Sequence, residues 1–143
     1  MNRRILISAY KKVYPNGKVE QFCKYLFKAI KEENGEGINF VRFLITISIF
    51  FENDFDKKLK ILFKIFVADN KSNQIDIQSI KNVWKSLAEM HGSTLSEIEA
   101  KQRAINIFSR FNKNSLNDYL TEEEFINGSM TDPYLIIMLL KFF

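Results

Sequence analysis

Apolar residues recur at helical spacing along most of the chain, and polar segments separate the stripes that they form. The clearest stripe has the i, i+4, i+7, i+8, i+11 spacing that is typical of one buried helix face, and it comprises Phe55, Leu59, Leu62, Phe63 and Phe66. Asp54 directly precedes it and is the predicted N-cap. An earlier stripe also predicts a buried face and comprises Ile5, Leu6, Ala9 and Val13. The pattern predicts an all-α protein.

The last apolar stretch differs because Tyr134–Leu140 is apolar on nearly every face. Asp132-Pro133 predicts its start, with an N-cap followed by a proline in the first helical position. A helix of this kind has to be buried. It packs against its own part of the chain, fills a groove, or enters a partner, and we favour the first of these.

Three polar loops end in one short signature: an aliphatic residue, a capping residue, and an apolar residue where the next helix packs. The first two positions are Ile38-Asn39, Ile75-Asp76 and Leu120-Thr121, and the aliphatic anchors lie 37 and 45 residues apart. This internal helix–loop–helix repeat is the organisation of EF-hands.

Calcium-binding loops of this kind place oxygen ligands at positions 1, 3, 5, 7 and 9, with a bidentate Glu at 12 and Gly at 6. The aliphatic anchor is position 8. The first loop then has Lys31 at position 1 and Arg42 at position 12, and the next has Ser79 at position 12. Neither arrangement predicts a calcium site.

The last loop is the candidate calcium site, because the anchor Leu120 places Glu124 at position 12. Its predicted ligands are Asn112, Asn114, Asn117, Asp118, Tyr119 and Glu124. The loop is one residue longer than a standard hand, it lacks the turn Gly, and Asn replaces the usual first Asp. With so few carboxylates we expect weak binding of one ion. Alternatively, Thr121-x-x-Glu124 is a capping box that needs no metal.

Composition narrows the function classes. Hydrophobic residues make up 46% of 143 residues, and five Gly and two Pro fit long helices with few turns. A single cysteine, Cys23, fits a reducing compartment, so we expect a cytoplasmic protein. The sequence shows no signal peptide and no apolar run long enough to span a membrane. Residues 1–66 carry 13 basic and 7 acidic side chains, but no Arg-rich tract with interleaved aromatics predicts nucleic-acid binding.

Several motifs closely resemble the neuronal calcium sensors, the recoverin and frequenin family. They are Tyr10-Lys11-Lys12-Val13-Tyr14-Pro15, Phe40-Val41-Arg42-Phe43, Lys58-Leu59-Lys60-Ile61-Leu62-Phe63, Ile107-Phe108-Ser109-Arg110-Phe111 and Gly128-Ser129-Met130-Thr131-Asp132-Pro133. The resemblance implies two packed EF-hand lobes at 1–52 and 53–143. It also implies that Met1 falls near position 8 of the first loop, so the first hand is incomplete. No Gly follows Met1, so no N-myristoylation signal is expected.

The resemblance further implies that the protein binds an amphipathic helix of a target in a hydrophobic groove. The predicted groove residues are Phe22, Tyr25, Leu26, Phe43, Ile47, Phe50 and Phe51. Core packing is the alternative role for each of them. We expect a non-enzymatic regulatory or adaptor protein, because His91 and Cys23 have no evident catalytic partner. A structural light-chain-like subunit of a motor or ciliary assembly, and a calcium sensor acting through the last hand, are the alternatives.

Overall fold

The computed structural model describes residues 2–31, 43–44, 48 and 53–139. Within them, seven helices have both ends defined: α1 Arg3–Val13, α2 Glu20–Ile30, α3 Phe55–Phe66, α4 Ile77–Met90, α5 Glu97–Arg110, α6 Glu122–Thr131 and α7 Pro133–Leu139. The described residues form helices and one isolated β-bridge, with no extended strand. The prediction of an all-α protein is confirmed.

Side-chain caps explain where the helices begin. Asp54 and Asp76 accept hydrogen bonds from the backbone N–H three residues ahead, at 3.3 and 2.7 Å. Thr121 and Glu124 form a reciprocal capping box at the start of α6. Asp132 Oδ1 accepts the N–H of Tyr134 at 3.0 Å at the start of α7. The sequence predicted all four of these caps, and each is confirmed.

One hydrophobic core joins the described residues on both sides of position 52. It runs from Leu6 in α1 to Leu139 in α7. Helix α2 packs on α3 and α4, α4 packs on α5, and α3 packs on α6. Residues 2–31 therefore lie directly on the C-terminal EF-hand pair. The division into lobes at 1–52 and 53–143 stays a prediction.

The buried face of α1 differs from the prediction. Leu6 is buried and Tyr10 packs against the core, whereas Ile5 is 53% exposed and Val13 is 69% exposed. Ala9 is exposed as well. The stripe Ile5–Ala9–Val13 was thus wrongly assigned to the core. Since residues four apart lie on one helix face, α1 is buried along the neighbouring row that starts at Leu6.

Helix α7 packs against the chain's own core, as favoured from the sequence, through Leu135 and Leu139. The expectation that the whole segment is buried was wrong, because Tyr134 is 51% exposed and Ile137 is 68% exposed. Leu135 and Leu139, four residues apart, reach the core, and Met138 packs partly buried beside them. The ring of Tyr134 instead lies under the Arg110 guanidinium, 4.6 Å from its carbon.

Candidate functional site

The last EF-hand loop is built from the end of α5 to the start of α6. Asn112 has φ 60°, and the N–H of Lys113 donates to Phe108 O at 3.0 Å. This bond pattern, with a left-handed Asn, is a helix C-terminal cap. The extra residue of the loop is therefore accommodated at the helix end. Counting from Leu120 at position 8, Lys113 occupies position 1, where a calcium-binding loop has its first ligand.

Lys113 pairs with the residue at the other end of the loop. Its Nζ lies 2.7 Å from Glu124 Oε2, while Glu124 Oε1 accepts the N–H of Thr121 at 3.2 Å. The ammonium holds the pKa of Glu124 below its usual range, and the carboxylate raises the pKa of Lys113. Glu124 is the only acidic residue at position 12 in any of the three loops. Both of its carboxylate oxygens are thus engaged within the protein.

The remaining predicted ligands lie in the loop between α5 and α6. Asp118 Oδ2 accepts the N–H of Ser115 at 3.0 Å, which closes a local turn. The other predicted ligands lie at exposed positions, namely Asn112, Asn114, Asn117 and Tyr119. Within the part of the chain that the structure describes, no three His, Cys, Asp or Glu side chains cluster as they would around a metal. With an ammonium at position 1, these residues fit a calcium ion poorly.

The third-hand loop between α3 and α4 also departs from a calcium cage. Asn73 has φ 57° and supplies the left-handed turn at position 6, where a calcium loop uses Gly. Asp69 points towards α2, where it pairs with Lys28 and, at 3.9 Å, with Lys24. Ser79 at position 12 donates its hydroxyl to Asp76 Oδ1 at 2.8 Å. The loop is held by internal hydrogen bonds.

The two loops are joined at their anchors. Ile75 and Leu120 exchange both backbone N–H···O hydrogen bonds, each 2.8 Å long, in a short antiparallel bridge. Both side chains are fully buried. This is the bridge that pairs two EF-hand loops. The first loop, Lys31 to Arg42, lies outside the described residues apart from Lys31.

Of the predicted groove residues, Phe22, Tyr25 and Leu26 are buried in the chain's own core. Phe43 is partly buried against that core. Ile47, Phe50 and Phe51 lie outside the described residues. The groove thus stays a prediction.

The described surface also shows an apolar stripe along the outer face of α1, which the sequence reasoning had assigned to the core. It consists of Ile5, Ala9 and Val13, and the exposed cations Arg4 and Lys12 lie beside it on the same helix. The signal that could have revealed the stripe was the competing row of Leu6, Tyr10 and Tyr14, whose larger side chains take the buried side.

The two single-residue catalytic candidates have structural environments. Cys23 is fully buried, and burial raises the pKa of its thiol to about 12, so it is protonated at neutral pH. The ring of His91 meets the ring of Tyr14 edge-on, with centroids 5.0 Å apart. A buried, protonated thiol is not an activated nucleophile. No described helix has the length and apolar character that crossing a membrane requires.

Paired helix–loop–helix units joined by an anchor bridge define the chain as an EF-hand protein. It is 30% identical over 132 residues to "Neuronal calcium sensor 1" of Lymnaea stagnalis, covering 89% of this chain and 68% of that protein. It is 27% identical over 131 residues to human "Guanylyl cyclase-activating protein 3", covering 90% of this chain and 59% of that protein. The chain belongs to the neuronal calcium sensor family. None of the family models that were compared matches it.

Proposed function

We propose that this chain is a non-enzymatic, cytoplasmic regulatory protein that binds an amphipathic helix of a target protein largely independently of calcium. Calcium binding, where it occurs, is weak and confined to the last loop. The relatives named for calcium sensing and for activating a cyclase support a regulatory role that acts through other proteins. The departure from calcium control rests on this chain's own loop residues.

The observation that carries the proposal is the contact of Lys113 Nζ with Glu124 Oε2 at 2.7 Å. An ion at this site would have to displace an ammonium group from the one carboxylate that a bidentate ligand requires. It would also have to approach that positive charge. Like charges within a few ångströms repel by an amount that is large compared with RT when water is partly excluded. The resident lysine therefore competes with calcium at this loop.

Calorimetric titration with calcium tests the competition. Lys113→Met removes the competing charge, and Lys113→Asp restores a ligand at position 1. Both variants should bind calcium at least tenfold more tightly than the wild type, and Lys113→Asp should bind it more tightly than Lys113→Met. Lys101→Met is the matched control, because Lys101 is an exposed lysine on α5; it should leave the affinity unchanged. Glu124→Gln should abolish binding. Two or more tight sites in the wild type, or a site that ignores Glu124→Gln, would overturn the proposal.

The charge beside the apolar stripe of α1 supports one kind of target helix over others. Ile5 and Val13 offer exposed aliphatic surface, and Arg4 and Lys12 line one side of it. Among the described residues no ion pair neutralises either of these two cations. A docking helix gains from burying the stripe and from placing carboxylates against the cations. The partner that fits is an amphipathic helix with an acidic polar face.

Two designed peptides of about 18 residues test the sign of the charge. Both carry Leu at helical spacing, with Glu on the polar face of one and Lys on that of the other. The acidic peptide should bind, and Val13→Asp should weaken its binding at least tenfold. Ile98→Asp is the matched control, since Ile98 is 83% exposed on α5. Equal binding of the basic peptide, or an equal loss in Ile98→Asp, would contradict this interface.

A further inference from the structure

The interior of the third-hand loop is occupied by the side-chain amide of Asn70. Its Nδ2 lies 2.6 Å from Gln74 O, 3.3 Å from Asp76 Oδ2 and 3.3 Å from Ser79 Oγ. The amide nitrogen carries two hydrogens for these three acceptors, so at least two of the oxygens share one hydrogen. The three acceptors are part-buried and come from a carbonyl, a carboxylate and a hydroxyl.

The hydrogen-bond network fixes which end of the amide faces the interior. Asn70 Oδ1 accepts the backbone N–H of Ser72 at 2.9 Å and the hydroxyl of Ser72 at 2.7 Å. A backbone N–H only donates, so the atom that meets it has to be the oxygen. The nitrogen of Asn70 therefore faces the three oxygens inside the loop.

The loop positions give this contact its meaning. With Ile75 at position 8, Gln74 is position 7, Asp76 is position 9 and Ser79 is position 12. Those positions supply three of the calcium ligands in an EF-hand, with the one at position 7 being a backbone carbonyl. Asn70, at position 3, has its donor where the cation is held. We propose that the Asn70 amide replaces the metal ion and holds the third loop closed without one.

This inference explains the composition of the loop. Two hydrogens with partial positive charge satisfy two or three oxygens, whereas a divalent cation requires six to eight. A carboxylate at position 12 would have no cation to balance its charge. Ser79, which occupies that position, adds no negative charge. Asp69 is turned outwards to Lys24 and Lys28, which leaves Asp76 as the single carboxylate on the amide. The bond from Asn70 to Gln74 O fixes the residue before Ile75. The backbone bridge between Ile75 and Leu120 then keeps both loops in register without an ion.

The inference extends the proposed loss of calcium control to the third loop, but its test is independent of the last loop. Asn70→Asp exchanges the donor for an oxygen facing three others, so its Tm in chelator should fall by about 5–10 °C. Millimolar calcium should recover most of that loss, because an ion now has a fourth oxygen to bind. Calcium should not raise the Tm of the wild type through binding at this loop. Asn70→Ala should lower the Tm by a similar amount, and calcium should restore none of that loss.

Asn73→Asp is the matched control, because Asn73 lies exposed in the same loop and Asp tolerates its left-handed conformation. It adds the same charge away from the three oxygens, so calcium should restore nothing. Repeating Asn70→Asp in a Glu124→Gln background removes the last loop from the measurement, and the calcium response should persist. An unchanged Tm in Asn70→Ala, or equal responses of Asn70→Asp and Asn73→Asp, would overturn the inference. A tight calcium site lost with Glu124→Gln would overturn only the proposed function.

Discussion

At Gly17 the turn after α1 packs directly against the end of α4. A Cβ at this position would lie 1.8 Å from Met90 O and 2.5 Å from its carbonyl carbon. The neighbouring N–H of Lys18 donates to Glu89 O at 2.9 Å. Because non-bonded carbon and oxygen atoms do not approach closer than about 3 Å, Gly17→Ala has to move the two backbones apart by about 1 Å.

The cost of that movement follows from the contacts that it breaks. Loss of the Lys18–Glu89 hydrogen bond costs about 1–3 kcal/mol if its groups stay dry. Separation of the Tyr14 and His91 rings costs about 0.5–1.5 kcal/mol more. The total is about 1.5–4.5 kcal/mol, which corresponds to a fall in Tm of roughly 5–15 °C for a chain of this size.

Thermal unfolding monitored by circular dichroism measures this effect, with Gly128→Ala as the matched control. A Cβ at Gly128 would meet the ring of Phe111 at 2.6 Å, and a half-buried side chain moves more readily than a backbone carbonyl. We expect the Gly17→Ala loss to be at least twice the Gly128→Ala loss. A Gly17→Ala protein within 2 °C of the wild type would refute the direct contact between residues 2–31 and α4.

Two further predictions concern α7 and the acid limb of stability. Leu135→Ala should lower the free energy of unfolding by about 2–5 kcal/mol in urea titrations, because Leu135 is fully buried. Ile137→Ala, at an exposed position, should change it by less than about 0.5 kcal/mol. Equal effects would contradict the packing of α7 on the core. Lys85 and Lys81 lower the pKa of Glu97 to about 2, below its unfolded value of about 4.3, so its contribution is present above that unfolded value and is lost as the pH falls towards 2. Glu97→Gln should therefore lower the Tm at pH 7 and leave it unchanged near pH 2. Glu99→Gln, on the same helix turn, should change the Tm less at either pH. A lower Tm of Glu97→Gln that persists at pH 2 would contradict the ion pairs of Glu97 with Lys81 and Lys85.

The helical repeat was predictable because it depends on short-range signals. Caps such as Asp76 and Thr121 act within one turn, and the anchors Ile75 and Leu120 recur with the same neighbours on either side. The α1 stripe was misassigned for the opposite reason. Ile5 and Val13 have the hydrophobicity of core residues, and only the packing of the larger neighbours decides which row is buried.

The interiors of the loops could not be predicted from ligand counting. The count predicted that Glu124 had the correct position, but the identity of its partner depends on how the helix end at Asn112 absorbs one residue. That shift brings Lys113 to the place of the first ligand. In the other loop, Asn70 is of a residue type that can bind calcium. Only the contacts of its Nδ2 with Gln74 O, Asp76 Oδ2 and Ser79 Oγ show that the amide nitrogen, and not the oxygen, faces the loop interior.

The central claim is that target-helix binding does not require calcium. The most direct measurement is the Kd of the acidic amphipathic peptide for the full chain, determined once in chelator and once in millimolar calcium. We expect detectable binding in both conditions and Kd values within about twofold of each other, because Lys113 and Asn70 close the two loops in either case. Binding that is absent in chelator, or at least tenfold tighter in calcium, would contradict the account.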